Sequence, residues 1–124
     1  MVKRYHRSVF FPVGIENSLF EFTKNLNYME WSYTDHALDR LSEETRQKKI
    51  KEFLKSVWLD PEWIFEIYLN KTEIRKVCFR CSFSDEEDLI LVVTDEKSLV
   101  TLYFNDVGDL HNTMDLRADD YTKE

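Results

Sequence analysis

The chain is expected to fold as an α+β domain, with N-terminal helices packed on one face of a mainly antiparallel sheet of four to five strands. Two observations carry this expectation. Ile50, Phe53, Leu54 and Val57 recur at helical spacing, and from residue 63 onward four stretches rich in β-branched and aromatic residues alternate with short polar turns. A third bounds it: 124 residues, 43% hydrophobic with only 2 Gly and 2 Pro, suit one ordinary core and a single domain over residues 1–124.

Taken in order, residues 7–13 predict a short first strand ended by Pro12 and Gly14. Residues 16–24 predict an amphipathic helix with Leu19, Phe20 and Phe22 inward. Residues 25–27 read as a loop, and 30–33 as either a brief strand or the lead-in to the next helix. Thr34 or Asp35 is a good N-cap, since its side-chain oxygen can accept an orphan N–H of the first turn, and that helix runs to about Leu41. Ser42 followed by Glu43 and Glu44 is a second start signal, with acids at the positive end of the helix dipole, and this helix reaches Trp58 before Asp60-Pro61 stops it. Strands are expected at 63–69, 73–83, 89–94 and 99–104, linked by turns at 70–72, 84–88 and 95–98.

The net charge of −7 argues against a general nucleic-acid binder, but it is unevenly spread. Residues 1–83 hold 14 Lys+Arg against 12 Asp+Glu, whereas residues 84–124 hold 3 against 12. Arg46, Lys48, Lys49, Lys51 and Lys55 crowd one helix, and Lys71, Arg75, Lys76 and Arg80 one hairpin: a solvated helix face with strand-edge lysines, or a phosphate-facing patch. The longest apolar runs, such as Leu89-Ile90-Leu91-Val92-Val93, fall far below the ~20 residues of a bilayer span. The basic start followed by a weak apolar segment does not read as a signal peptide, so a cytoplasmic location is expected. Cys78 and Cys81 fall on opposite faces of a strand, which suits two free core thiols better than a redox pair or a zinc site lacking two further ligands.

His36 and Arg40 are the most informative residues. Four apart on one helix, they are neighbours, setting an imidazole able to exchange protons near neutral pH beside a permanent cation suited to phosphate. Period-two alternation puts Thr101, Tyr103 and Asn105 on one face of the last strand, and Val100, Leu102 and Phe104 on the core face. In the second strand of the meander, Lys76, Cys78 and Arg80 share a side, and Arg75 falls on the apolar side unless a bulge re-aims it. Together these are the parts for cleaving RNA without metal or other cofactor. His36 would transfer protons, Arg40 and Arg80 hold the phosphate, Thr101 or Tyr103 donate to a non-bridging oxygen, and Asn105 orient base or sugar. Arg75 and Lys76 would bind the strand. Each also has a plainer explanation as a surface histidine, a small salt-bridge cluster with Asp35 and Asp39, or ordinary strand composition.

The run Thr34-Asp35-His36-Ala37-Leu38-Asp39-Arg40-Leu41, then Trp58-Leu59-Asp60-Pro61-Glu62-Trp63-Ile64, the charged hairpin through Arg80, Leu91-Val92-Val93-Thr94 and Leu99-Val100-Thr101-Leu102-Tyr103-Phe104 resemble the barnase, EndoU, colicin and RelE-like ribonuclease superfamily, especially its small phage-borne and mobile-element members. The resemblance covers about residues 30–105. It implies N-terminal helices on an antiparallel sheet and metal-independent RNA cleavage through a 2′,3′-cyclic phosphate, with His36 as the helical histidine, Arg40 and Arg80 as cations, and Thr101 with Tyr103 as last-strand polar residues. Toxin nucleases of this class are usually basic, and here carboxylates follow the last strand, with His111 as a possible second acid/base. The alternative is an acidic, non-enzymatic inhibitor: an immunity protein, antitoxin or phage anti-defence protein that mimics phosphates on a basic nuclease or defence protein. The acidic segment 106–124, with Leu110, Met114, Leu116 and Tyr121 interleaved, would be its binding element, or else a terminal strand packed on the sheet edge. RNA is the expected partner in the first case, a basic protein in the second, and no membrane in either.

Overall fold

In the computed structural model, which describes residues 2–7 and 11–108, three helices pack through one hydrophobic core against a six-stranded mixed sheet. The order is β1 (Val2–His6), α1 (Ile15–Asn27), β2 (Ser32–Tyr33), α2 (Asp35–Glu43), α3 (Gln47–Ser56), a 3-10 turn (Pro61–Trp63), β3 (Ile64–Asn70), β4 (Glu73–Ser82), β5 (Glu87–Thr94) and β6 (Ser98–Asp106). Across the sheet the strands run β1-β3-β4-β5-β6-β2. β3 to β6 form the expected antiparallel meander, β1 joins β3 antiparallel, and β2 joins β6 parallel. The α+β class with N-terminal helices therefore holds, while the four to five strands expected become six and one edge is parallel.

The helices bury one stripe each: Ile15, Leu19 and Leu26 from α1, Ala37 and Leu41 from α2, Ile50 and Leu54 from α3. They meet Val77, Phe79, Cys81, Leu89, Leu91, Val93, Leu99 and Leu102 of the sheet. Each such Leu, Ile or Phe withdrawn from water contributes about 1.5–3 kcal/mol. The opposite sheet face carries a smaller cluster of Tyr68, Cys78 and Val92, against which Val2, Phe65, Val100 and Tyr103 pack.

Several boundaries differ from expectation for identifiable reasons. The first strand is Val2–His6, not residues 7–13. Its partners are Glu66 to Asn70, some sixty residues away, and no local pattern announces such a pairing. Of the expected strand, Ser8, Val9 and Phe10 lie outside the described residues. Phe20 is 55% exposed rather than inward, because it sits about 100° around the helix from Leu19. Ser42 does not start a helix; α2 runs through it to Glu43, its hydroxyl donating to the Asp39 carbonyl at 2.8 Å. Helix α3 starts at Gln47 and ends at Ser56, before Asp60-Pro61, and Asp60 instead caps the 3-10 turn by accepting from the Glu62 N–H at 2.8 Å.

Register shifts re-aim three side chains. One between Val92 and Val93 pairs Thr101 with Val92 and Leu99 with Val93, so Val100 is the extra residue. Leu99 thus faces the main core, and Val100 packs on the opposite face, not beside Leu102 as expected. The shift between Tyr68 and Leu69 likewise makes Arg75 a bulge residue, exposed rather than forced onto the apolar side.

Candidate functional site

Everything from residue 32 to 46 runs along the outer side of β6. The Ser32 N–H donates to the Lys97 carbonyl at 3.1 Å and the Thr34 N–H to the Leu99 carbonyl at 3.1 Å. Thr34 Oγ1 lies 3.2 Å from the Leu99 carbonyl and 2.9 Å from that of Val100, while accepting the Ala37 N–H at 3.1 Å as the N-cap of α2. Two turns on, Arg40 Nε donates to the Leu102 carbonyl at 3.2 Å. Arg46 then lies over the Phe104 ring, 3.9 Å from its centroid, and pairs with Glu87.

His36 sits between the Thr34 and Arg40 anchors, so the first turn of α2 passes alongside the stretch that carries Thr101. On a helical wheel the buried stripe is Ala37 and Leu41, and His36 and Arg40 occupy the same flank of it. His36 is exposed. With Nε spent on Leu102, the terminal amino groups of Arg40 remain without a protein partner among the described residues, held in one orientation by that bond. This arrangement can present a proton-exchanging imidazole and a fixed cation to one anionic group.

Thr101, Tyr103 and Asn105 share the sheet face away from the helices, as expected, in a row with Val92, Ile90 and Asp88 across β5. Tyr103 packs against the Tyr68, Cys78 and Val92 cluster, its hydroxyl oxygen buried. Asn105 is 8% exposed, and its amide nitrogen has no hydrogen-bond partner among the described residues.

Arg80 is not brought to the helix. Its Nε donates to Asp88 Oδ2 at 2.6 Å and a terminal nitrogen to the Asp106 carbonyl at 2.9 Å. Five residues separate Asp106 from Thr101, about 16 Å along a strand. The guanidinium is thus neutralised at the far end of β6, near Asn105 and away from His36. Arg75 and Lys76 form a third location. Arg75 pairs with Glu73 at 3.0 Å and Asp95 at 3.9 Å, and Lys76 Nζ lies 4.5 Å from the centre of the Tyr68 ring. Both line an open cleft of about 410 Å³ with Asn70, Thr94 and Glu96. Lys76 is four residues from Arg80, about 13 Å along β4. The sequence-derived set therefore divides into His36 and Arg40 on α2; Arg80, Thr101, Tyr103 and Asn105 on the sheet face away from the helices; and Arg75 with Lys76 at the hairpin.

Sequence reasoning missed a buried polar network on the same face. The carboxylate of Glu66, fully buried, meets Arg4 Nε at 3.1 Å through Oε1 and accepts from the Tyr68 hydroxyl at 2.9 Å and the Cys78 thiol at 3.6 Å through Oε2. Burial, with the negative charge of Glu66 behind it, holds the Cys78 thiol well above its ordinary range; the Tyr68 hydroxyl is raised by burial first and then by its acidic neighbours. Burial pushes Cys81 on the core face up to about 12, and Asp88 adds to it. Both cysteines are free and buried. Period-two alternation in β3 was the available signal, since it puts Glu66 and Tyr68 on one side. Asp88 as the partner of Arg80 was hidden because it read as part of a turn.

Among the described residues no group of three or more His, Cys, Asp and Glu side chains has a metal-binding arrangement. No helix there is long and apolar enough to cross a membrane. His111 and the interleaved residues Leu110, Met114, Leu116 and Tyr121 lie outside the described residues. Comparisons with protein-family models, with curated proteins and with solved structures find no match to the chain.

Proposed function

We propose that the chain is a metal-independent endoribonuclease-like domain acting where α2 runs beside β6. The observation that carries this reading is the fastening of α2 to the β6 backbone through Thr34 and Arg40, which keeps His36 and the free amino groups of Arg40 on one flank of α2. His36 would take the proton from a 2′-OH as that oxygen attacks phosphorus, and return a proton to the departing 5′-oxygen. The products are a 2′,3′-cyclic phosphate and a 5′-hydroxyl. Arg40 would hold the non-bridging oxygens as charge builds on them. Arg80 and Asn105 would contact the strand further on, with the charge of Arg80 offset by Asp88.

The test is induction of the wild-type chain and of His36→Ala in a bacterial host, with total RNA examined for new cyclic-phosphate ends. Wild type is expected to produce such ends and arrest growth. His36→Ala should cut at least about a hundred-fold less, the usual minimum for losing a general acid–base. Intact RNA under wild-type induction would sink the proposal.

A second reading, the acidic inhibitor, is favoured by the Arg80–Asp88 pair, which removes a cation from the proposed site, together with the net charge of −7. Under it, His36→Ala behaves as wild type, and the chain binds a basic nuclease with an on-rate that falls as salt rises.

A further inference from the structure

The exposed surface contains one built aromatic feature that the α2–β6 junction does not use. Tyr28 caps the C-terminus of α1 and Trp58 follows α3; they are 75% and 61% exposed, yet their rings meet edge to face at 5.8 Å and 88°. Large aromatic rings left in water call for an explanation when the structure also brings them together. The Asn27 side chain donates to the Leu59 carbonyl at 2.9 Å and accepts the Leu59 N–H at 2.8 Å, clamping the residue before Tyr28 to the residue after Trp58. Because the rings are perpendicular, neither stacks on the other, and a π-face stays open to a third planar group.

The charge beside this pair is cationic in an acidic protein. Lys48, Lys51 and Lys55, spaced three and four apart, make one exposed stripe of α3 that runs toward Trp58, with Glu52 the one carboxylate of the helix beside them. None of the three pairs with a carboxylate among the described residues; Lys51 Nζ bonds only the Gln47 side-chain oxygen, at 3.3 Å. The stripe spans about 10 Å from Lys48 to Lys55 at helical rise. Planar stacking surface and backbone-tracking cations together are what an unpaired nucleic-acid strand requires.

We propose that the Tyr28–Trp58 pair is a stacking platform for an unpaired base of single-stranded RNA, whose phosphates follow the Lys48, Lys51 and Lys55 stripe. This deepens the ribonuclease reading by naming the form of RNA taken, and rests on it to that extent.

Binding and cutting are read separately. A fluorescent 2′-O-methyl oligouridine of about 12 nucleotides, within the usual span of single-strand sites, has no 2′-OH to attack, so its anisotropy with the full chain reports binding alone. Wild type is expected to bind it, with tryptophan quenching. Trp58→Ala and Tyr28→Ala should each bind about ten-fold more weakly. Trp58→Phe should keep most of the affinity while losing the quenching, which separates stacking from any misfolding of the alanine variants. Changing the three lysines to Gln should lower the slope of log affinity against log salt by about 0.7 for each lysine that meets a phosphate. No binding by wild type, or full affinity and full quenching in Trp58→Phe together with full affinity in Trp58→Ala, overturns the platform and leaves the pair to a protein partner. Trp58-dependent binding with unmodified RNA left uncut sinks the ribonuclease reading alone; cut RNA with Trp58-independent binding sinks the platform alone.

Discussion

At the scale of single residues, the carboxylate of Glu66 is the most consequential group outside the proposed site. A charge taken fully out of water is tolerable only with close partners: Arg4 supplies the opposite charge, and Tyr68 and Cys78 donate hydrogen bonds. Glu66→Leu would leave Arg4 as a nearly buried cation, and we expect a loss of about 3–5 kcal/mol in urea unfolding, whereas Arg4 and Glu66 replaced together by apolar residues should recover much of it. The thiols carry a pH signature. Cys81 is raised to about 12 from an ordinary 9.0, and Cys78 is raised as well, so folding favours the protonated thiols. Their contribution is complete below pH 9 and is lost as pH climbs toward 12. Each group weakens folding by at most about 1.4 kcal/mol per pH unit in that window. Urea midpoints should therefore fall above pH 9, and less steeply in Cys81→Val; a flat profile to pH 10.5 would contradict this account. Both thiols should also resist alkylation at pH 8 until the chain is unfolded.

At the scale of elements, α2 is positioned by its two ends. Thr34 is at once its N-cap and its tie to Leu99 and Val100, so Thr34→Ala should cost about 1–2 kcal/mol, and Thr34→Ser, which keeps the hydroxyl, much less. If cleavage depends on the α2–β6 register, Thr34→Ala should also lower the rate by more than its loss of folded population explains. The cap at Thr34 and the strands β3 to β6 were legible in sequence because each is local: a side-chain oxygen three residues from an N–H, or side chains alternating within one strand. What was not legible is non-local. The strand at Val2–His6 carries Lys3, Arg4 and His6 and looks like a charged tail until Glu66 gives Arg4 a partner. The site divided for a similar reason. Alternation correctly put Arg80, Thr101, Tyr103 and Asn105 on one face, but a face spans several strands, and only the Asp88 contact fixes which way Arg80 reaches.

At the scale of the whole molecule, the two arginines given one role by sequence should behave differently. Arg80→Ala strands Asp88, 16% exposed at its side chain, and should lower stability by about 2 kcal/mol with a modest effect on RNA cleavage. Arg40→Ala should do the reverse, losing cleavage by about a hundred-fold or more with a small change in urea midpoint. Equal losses of activity from both would argue that the sheet face and the α2 flank act on one phosphate after all. The route of residues 32–46 along β6 has a last consequence, for self-association. A sheet normally ends in a row of unpaired carbonyls and amides that can template another chain. Here two residues of β2 take the start of that row, and Thr34 and Arg40 occupy the carbonyls of Leu99, Val100 and Leu102 beyond it. A strand from a neighbouring molecule seeking to extend the sheet past β6 would first have to dislodge a helix.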